Sequence, residues 1–248
     1  ANLGIGTGVA KLLKHAHLGT DKPIAAMRDT INIVRGLMAG ETVTYEGKVF
    51  SADRLKLEFD PIRKDYPIHM ASMGDQSIRL AGELADAVMI SNLCTPGFTR
   101  HAVEMMASVA DKRVLPRKPK VIQYAPCVAR ADRQEARNFA RTILGGMIMR
   151  SFGLEGTPQT KAWHALGSNL PMDYFDEVFR KLEAGEKAVD VIDDTLLDLY
   201  TVSGNADDCL AAYQRYLDAG VEEVVVTFRG PEPLKEMAYL ADALKTMR

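Results

Sequence analysis

Along the first third of the chain the hydrophobic pattern changes period repeatedly. Residues 2–6 of "NLGIGTG" form a short apolar run closing on glycine, which reads as a strand. "VAKLLKHAHLGTDKP" reads as a long loop. From Ile24 to Met38 apolar side chains recur at helical spacing (Met27, Ile31, Val34, Leu37, Met38), with Pro23 at the start and Gly40 as the stop. "TVTYEGKVFSADRLKL" alternates around Glu46-Gly47, the pattern of a small β-hairpin. A strand over 67–72, a helix over 75–84, a strand over 86–91 and a helix over 96–110 follow.

The second half continues the rhythm. "KVIQYAPCVA" predicts a strand over 120–129, with Pro126 predicting a bulge or an end. "DRQEARNFARTILGGMIMRSFG" predicts a helix capped by Asp132. Residues 154–198 carry further helices, "MDYFDEVFRKLEAG" being the clearest. "TVSGNADDCLAAYQRYLDAG" reads as a loop and a helix, capped by Asn205 and stopped by Gly220, before a strand over 222–228 and a helix over 232–247.

Five main strands (2–6, 67–72, 86–91, 120–129 and 222–228) alternating with helices predict an α/β fold with a parallel sheet and helical crossovers. A doubly wound domain could use five strands. The hairpin at 41–57 and the helices at 154–198 suit a TIM (β/α)8 barrel with insertions better. On that reading residues 1–248 are one barrel domain made of strands four to eight, and the first three strands are expected ahead of Ala1.

Composition narrows the classes. The chain has 248 residues, 47% hydrophobic and 26% charged, as in ordinary globular proteins. A net charge of −2 gives no global field favouring nucleic acid or an anionic membrane. No apolar run is long enough to span a bilayer, and no signal-peptide pattern opens the chain. Cys94, Cys127 and Cys209 are far apart and odd in number, so a reducing cytoplasm is the expected setting.

In a barrel the site lies where strands end. Those ends are Gly6-Thr7-Gly8, Ser72-Met73-Gly74, Ser91-Asn92, Ala129-Arg130 and Thr227-Phe228-Arg229. None presents the lysine of a Schiff-base aldolase or the carboxylate cluster of a magnesium site. Glycine and hydroxyl residues instead permit close backbone approach to a phosphate, with a helix N-terminus behind it at Gly74-Asp75-Gln76-Ser77. The pattern points to a phosphorylated cofactor that brings its own chemistry. The same residues also serve as ordinary turn and cap residues. "GIGTG" lacks the G-x-G-x-x-G spacing and the following acidic residue of a dinucleotide fold.

The remaining polar residues are weaker candidates. His15 and His17 stand in the first loop without a third metal ligand, and no metal site is expected. His69 reads as a core histidine, and His101 and His164 as incidental helix residues. Arg79 can pair with Glu83 at i+4. Arg229 follows a strand, and Lys11 and Lys14 lie in the first loop.

"GIGTG…GTDKPIAAMRDTINIVRGLMAGETVTYEGKVF" and "PIHMASMGDQSIRLAGELADAVMISN" resemble the luciferase-like monooxygenase superfamily, whose members are TIM barrels using FMN or the deazaflavin coenzyme F420. The specific parts are the G-E-x-V-x-Y-x-G-x-x-F hairpin and the A-G-E-x-A-D-x-V step. "VSGNADDCLAAYQRYLDAGVEEVVV" is similar to the family's closing helix and last strand. The "AGELAD" wording is closer to the deazaflavin branch, which includes methylenetetrahydromethanopterin reductase. The resemblance implies that Gly6, Thr7 and Gly8 lie beside the cofactor. It implies that Ala71, Ser72, Met73, Gly74, Asp75 and Gln76 hold its phosphate end, with Ser91 and Asn92 nearby. It further implies hydride transfer between F420 or FMN and a small organic substrate, and a homodimer. An FMN-dependent monooxygenase using oxygen, a non-catalytic flavin-binding barrel and a sugar-phosphate isomerase are the rivals. The family's histidine and cis peptide belong to early strands, so no catalytic residue is assigned.

Overall fold

The computed structural model describes residues 1–8, 10–18, 21–155 and 158–247. In chain order the elements are β1 (Leu3–Gly6), α1 (Ala10–His15), α2 (Pro23–Met38), β2 (Val43–Tyr45), β3 (Ala52–Leu55), β4 (Ile68–Ala71), α3 (Asp75–Leu84), β5 (Ala87–Ile90) and α4 (Pro96–Ala107). They continue with β6 (Lys120–Ala129), α5 (Arg133–Glu155), α6 (Pro158–Ala165), α7 (Met172–Glu183), α8 (Ala188–Val191), α9 (Asp194–Tyr200), β7 (Val202–Gly204), α10 (Ala206–Asp218), β8 (Glu223–Phe228) and α11 (Pro233–Leu244). The chain divides into two compact units, residues 1–89 with 102–121, and residues 90–101 with 122–248.

In the first unit β1 pairs parallel with β4, and β4 parallel with β5. Leu3 lies opposite Ile68 and Gly6 opposite Ala71, while His69 lies opposite Ala87 and Ala71 opposite Met89. Ile68, Met70, Ala87 and Val88 are buried, as are Ala26, Met27 and Ile31 of α2 and Ile78, Leu80, Ala81 and Leu84 of α3. The corner between α3 and β5 is pinned by Asp86. Its Oδ2 accepts from Ile68 N–H at 2.9 Å and from Arg35 at 2.9 Å, and its own N–H donates to Ile68 O at 2.8 Å. Glu83, one turn earlier, pairs with Arg28 at 2.6 Å. These bonds set the register that brings the two strand ends level.

In the second unit β6 pairs parallel with β8 from Ile122–Glu223 to Cys127–Phe228, and with β7 from Cys127–Val202 to Ala129–Gly204. Ala136, Ala140, Leu144 and Ile148, four residues apart on α5, form the stripe that meets Phe175 and Val178 of α7 and Leu196, Leu197 and Tyr200 of α9. Arg137 and Arg141 are buried on the same helix. Arg137 forms an ion pair with Asp194 at 3.0 Å and donates to Asp198 at 2.8 Å, and Arg141 donates to Ile192 O at 2.8 Å.

Several sequence expectations need correction. The stretch after the first strand is not all loop, since α1 forms over Ala10–His15. The parallel strands number six rather than five among the described residues, because Val202–Gly204, expected as loop, is recruited by β6. A three-residue strand has no period to read. The helix expected over 96–110 ends at Ala107, and a separate 3-10 turn covers Ala110–Lys112. The hairpin does not turn tightly at Glu46-Gly47; residues 46–51 form a six-residue connection. Pro126 neither ends nor bulges β6, since its pairing with Thr227 keeps the register of its neighbours. The loss of one N–H is tolerated because flanking ladder bonds hold the alignment. Arg79 does not pair with Glu83, which Arg28 takes; Arg79 reaches Met105 Sδ at 3.2 Å.

Candidate active site

The site is built from the carboxyl ends of β1 and β4 and the start of α3, all within the first unit. Because the strands are parallel and Gly6 lies opposite Ala71, both ends emerge on the same side. A Cβ on Gly6 would stand 3.1 Å from the Ala71 Cβ, tighter than an ordinary contact. The pair Gly-Ala therefore leaves bare backbone where larger residues would fill the space. Gly8 follows with φ +68, a conformation other residues enter at a cost of about 1 kcal/mol or more. Gly6, Thr7 and Gly8 line a cavity of about 940 Å³, together with Met27 and Thr30 of α2 and Phe50 of the hairpin connection. Lys14, His17 and Asp21 stand at the same cavity.

After β4 the backbone is tied down before the helix begins. Ser72 is buried, its N–H donates to Met89 O at 3.1 Å, and its hydroxyl reaches Ser77 O at 3.4 Å. Ser77 Oγ donates to Gly74 O at 2.8 Å. Gly74 is the N-cap of α3, in extended conformation with φ −91 and ψ 150, and no side chain caps the helix. The first-turn N–H groups of Gln76 and Ser77 therefore have no acceptor among the described residues. That is the donor arrangement an anionic oxygen fits. Asp75 opens the same turn and offsets part of the helix field, so the donors act through hydrogen-bond geometry more than through charge.

Ser91 and Asn92 belong to the second unit and are held by other contacts. Gln123, fully buried on β6, donates through Nε2 to Ser91 O and to Tyr124 O, each at 3.0 Å, and accepts from Thr99 Oγ1 at 3.0 Å. Ser91 is exposed, and Asn92 Oδ1 is buried with no hydrogen-bond partner among the described residues. The cavity that Gly6, Thr7 and Gly8 line includes none of Ala71 to Gln76, while the structure sets Gly6 opposite Ala71 in the first unit. It fixes Ser91 through a glutamine that the sequence offered only as a lone amide inside an apolar strand.

Other candidates resolve into structural roles. His164 is buried, with Nδ1 within hydrogen-bond reach of Leu93 O and its carbonyl accepting from the Tyr200 hydroxyl. His15 and His17 are exposed, and the side chain of Lys11 lies outside the described residues. No metal-holding cluster occurs among the described residues. The partners of two residues escaped the sequence. Asp29 is buried on α2, where its carboxylate accepts from Val49 N–H (2.7 Å), Phe50 N–H (3.1 Å) and the Tyr45 hydroxyl (3.1 Å). Burial pushes its pKa up, but the bonds from Phe50, Val49 and Tyr45 outweigh this and leave it below the usual value. Arg130, directly after β6, donates to Glu236 Oε1 at 2.8 and 2.7 Å and to Glu135 at 2.7 Å.

The family model of luciferase-like monooxygenases matches residues 1–223. The 5,10-methylenetetrahydromethanopterin reductase of Archaeoglobus fulgidus is 29% identical over 245 residues, covering 97% of this chain and 71% of that protein. The coenzyme F420 dependent tetrahydromethanopterin reductase of Methanopyrus kandleri superposes with a TM-score of 0.76 at 20% identity, over 98% of this chain and 72% of that one. The oxygenating constituent of 3,6-diketocamphane monooxygenase from Pseudomonas putida, solved with FMN, superposes with a TM-score of 0.59 at 18% identity, over 99% and 68%. These likenesses show an α/β fold built on parallel strands.

Proposed function

This chain belongs to the luciferase-like monooxygenase family, and on that premise we propose that it is an oxidoreductase holding F420 or FMN and passing hydride between that cofactor and a small organic substrate. The observation that carries the reading is the cradle formed by Gly6 against Ala71, with the uncapped start of α3 beside it. In it Gly6, Thr7 and Gly8 lie along the cofactor. Ala71 to Gln76 receive its phosphate end, the N–H groups of Gln76 and Ser77 donating to the phosphate oxygens. Ser91 and Asn92 add polar contacts. When bound, the ring system supplies the redox chemistry, and the chain supplies binding, orientation and exclusion of water. No side chain is assigned a proton-transfer role.

F420 is the first choice because a coenzyme F420 dependent tetrahydromethanopterin reductase superposes over 98% of this chain, and a relative matching 97% of it is named a methylenetetrahydromethanopterin reductase. The second reading, an FMN-dependent monooxygenase, is favoured by the fold likeness to an FMN-bound monooxygenase. We read the chain as barrel-type α/β architecture, supported by the alternation of parallel strands and helices. Three free, buried cysteines support a cytoplasmic setting, and no described helix is long and apolar enough to cross a membrane. A homodimer is the proposed assembly.

The test is parallel titration of the purified protein with F420 and FMN, followed by fluorescence. Tight binding of one of them, weakened about tenfold or more by Gly6→Val with an unchanged melt, supports the reading. Binding of neither would sink it.

A further inference from the structure

Leu93 stands three residues beyond β5 in the left-handed region, at φ +59. Glycine and asparagine enter that region readily, whereas a bulky branched side chain does so only under constraint. Such strain persists where the surroundings over-determine it, and it concentrates at functional sites. Leu93 is also a core residue, 4% exposed and packed in the cluster that holds Ile148 of α5, Phe175 of α7 and Tyr200 of α9.

The constraint comes from the end of α6, 71 residues later. His164 Nδ1 reaches Leu93 O, and a carbonyl only accepts, so this ring nitrogen carries the proton. His164 is buried, and its own carbonyl accepts from the Tyr200 hydroxyl. Two residues on, Leu166 O accepts from Thr95 Oγ1, which in turn accepts from Phe98 N–H at 3.0 Å. Gly167, at φ +69, then meets Gly97 so closely that a Cβ on Gly97 would stand 2.4 Å from the Gly167 Cα. Ties at Leu93, Thr95 and Gly97 thus clamp the connection from β5 into α4 against residues 164–167.

What the clamp fixes lies just before it. Ser91 is exposed, with its carbonyl held by Gln123, and Asn92 Oδ1 is buried with no hydrogen-bond partner among the described residues. A buried acceptor without a donor calls for one, which a ligand N–H or O–H supplies. A cavity of about 10 Å³ among Leu93, Ile148, His164, Phe175 and Tyr200 has room for one water at most. No ligand enters there, so His164 acts through the Leu93 peptide.

We infer that His164 is a positioning residue, holding Leu93 left-handed and thereby setting Ser91 and Asn92 for the ligand. The inference rests on the reading above that Ser91 and Asn92 contact the cofactor. Apparent affinity falls with the fraction of molecules whose turn is competent, so a turn correct about one-tenth of the time binds about tenfold more weakly.

The test compares His164→Leu, which removes the donor and keeps apolar bulk, with His164→Asn, which keeps an N–H near the place of Nδ1. Each variant is titrated with F420 and with FMN, melted by circular dichroism, and followed without cofactor by hydrogen exchange of peptides covering residues 90–98. His164→Leu is expected to weaken binding about tenfold and to speed exchange over 90–98. His164→Asn is expected to bring affinity back to within about threefold of wild type and to slow that exchange again. A merely structural role lowers the melt without moving affinity, and that outcome overturns the inference. So does exchange over 90–98 that His164→Leu leaves unchanged, or an asparagine variant no better than the leucine one. Should His164→Leu not fold, Thr95→Val, similar in shape, removes the tie to Leu166 and faces the same two readouts. A wild-type protein that binds neither cofactor sinks the functional reading, while the exchange result still decides the clamp.

Discussion

Replacing Asp29 tests whether one buried carboxylate holds the hairpin connection. Its two oxygens accept from Val49 N–H at 2.7 Å, Phe50 N–H at 3.1 Å and the Tyr45 hydroxyl at 3.1 Å. Hydrogen bonds to a charged group contribute about 1.5–3 kcal/mol each, but donors that can turn to water lose less. Val49 is half-buried and Phe50 exposed, and the Tyr45 hydroxyl keeps its bond from Asn32 at 3.2 Å. Asp29→Ala is therefore expected to cost about 2–4 kcal/mol, and Asp29→Asn, which keeps one acceptor, about 1–2 kcal/mol. At about 2–4 °C per kcal/mol for a chain of this size, the alanine variant melts roughly 4–16 °C lower. Gly47→Ala should act alike, since a Cβ there would lie 2.4 Å from the Asp29 Cγ and 2.1 Å from Phe50 O.

The pH dependence follows from the lowered pKa of Asp29. A depressed folded value means that the contribution is complete above the unfolded value, about 3.9, and is lost as pH falls through the folded one. The gap in melting temperature between wild type and Asp29→Asn, followed by circular dichroism, should be constant near neutrality and narrow below about pH 4. Equal melting temperatures at pH 7, or a gap that widens on acidification, would refute the reasoning.

Other outcomes follow from the same physics. Glu236→Ala leaves Arg130 with Glu135 and the Phe139 ring 4.7 Å away as its partners. A cost of about 2–4 kcal/mol is expected, readable by chemical denaturation, and a loss under about 1 kcal/mol would refute a strong pair. The three buried thiols should resist iodoacetamide in the native protein and react once urea unfolds it, since burial pushes Cys209 up to about 12 and Cys94 and Cys127 higher still. Alkylation of the native protein faster than it unfolds would contradict their burial.

The cofactor cradle was legible where local chemistry shapes it. Gly74 followed by Asp75 predicts the start of α3, and the start falls there. That Gly6 abuts Ala71 is a matter of register, which no local signal carries. Asp29 looked like one polar residue on an amphipathic helix, because its partners lie sixteen to twenty-one residues away. Arg130 stood in view at a strand end, but its partner Glu236 lies 106 residues on.

The sequence by itself determined the elements with a repeating pattern or a cap: the stripe of α2, the limits of α3 and the cap of α10 by Asn205. Each follows from period or capping, properties of a few consecutive residues. The tertiary structure decided which strands are neighbours, that Val202–Gly204 joins β6, and which glycine faces which alanine. Those are contacts between residues far apart in the chain. Their stability comes from burial and ladder bonds that exist only once both partners are in place.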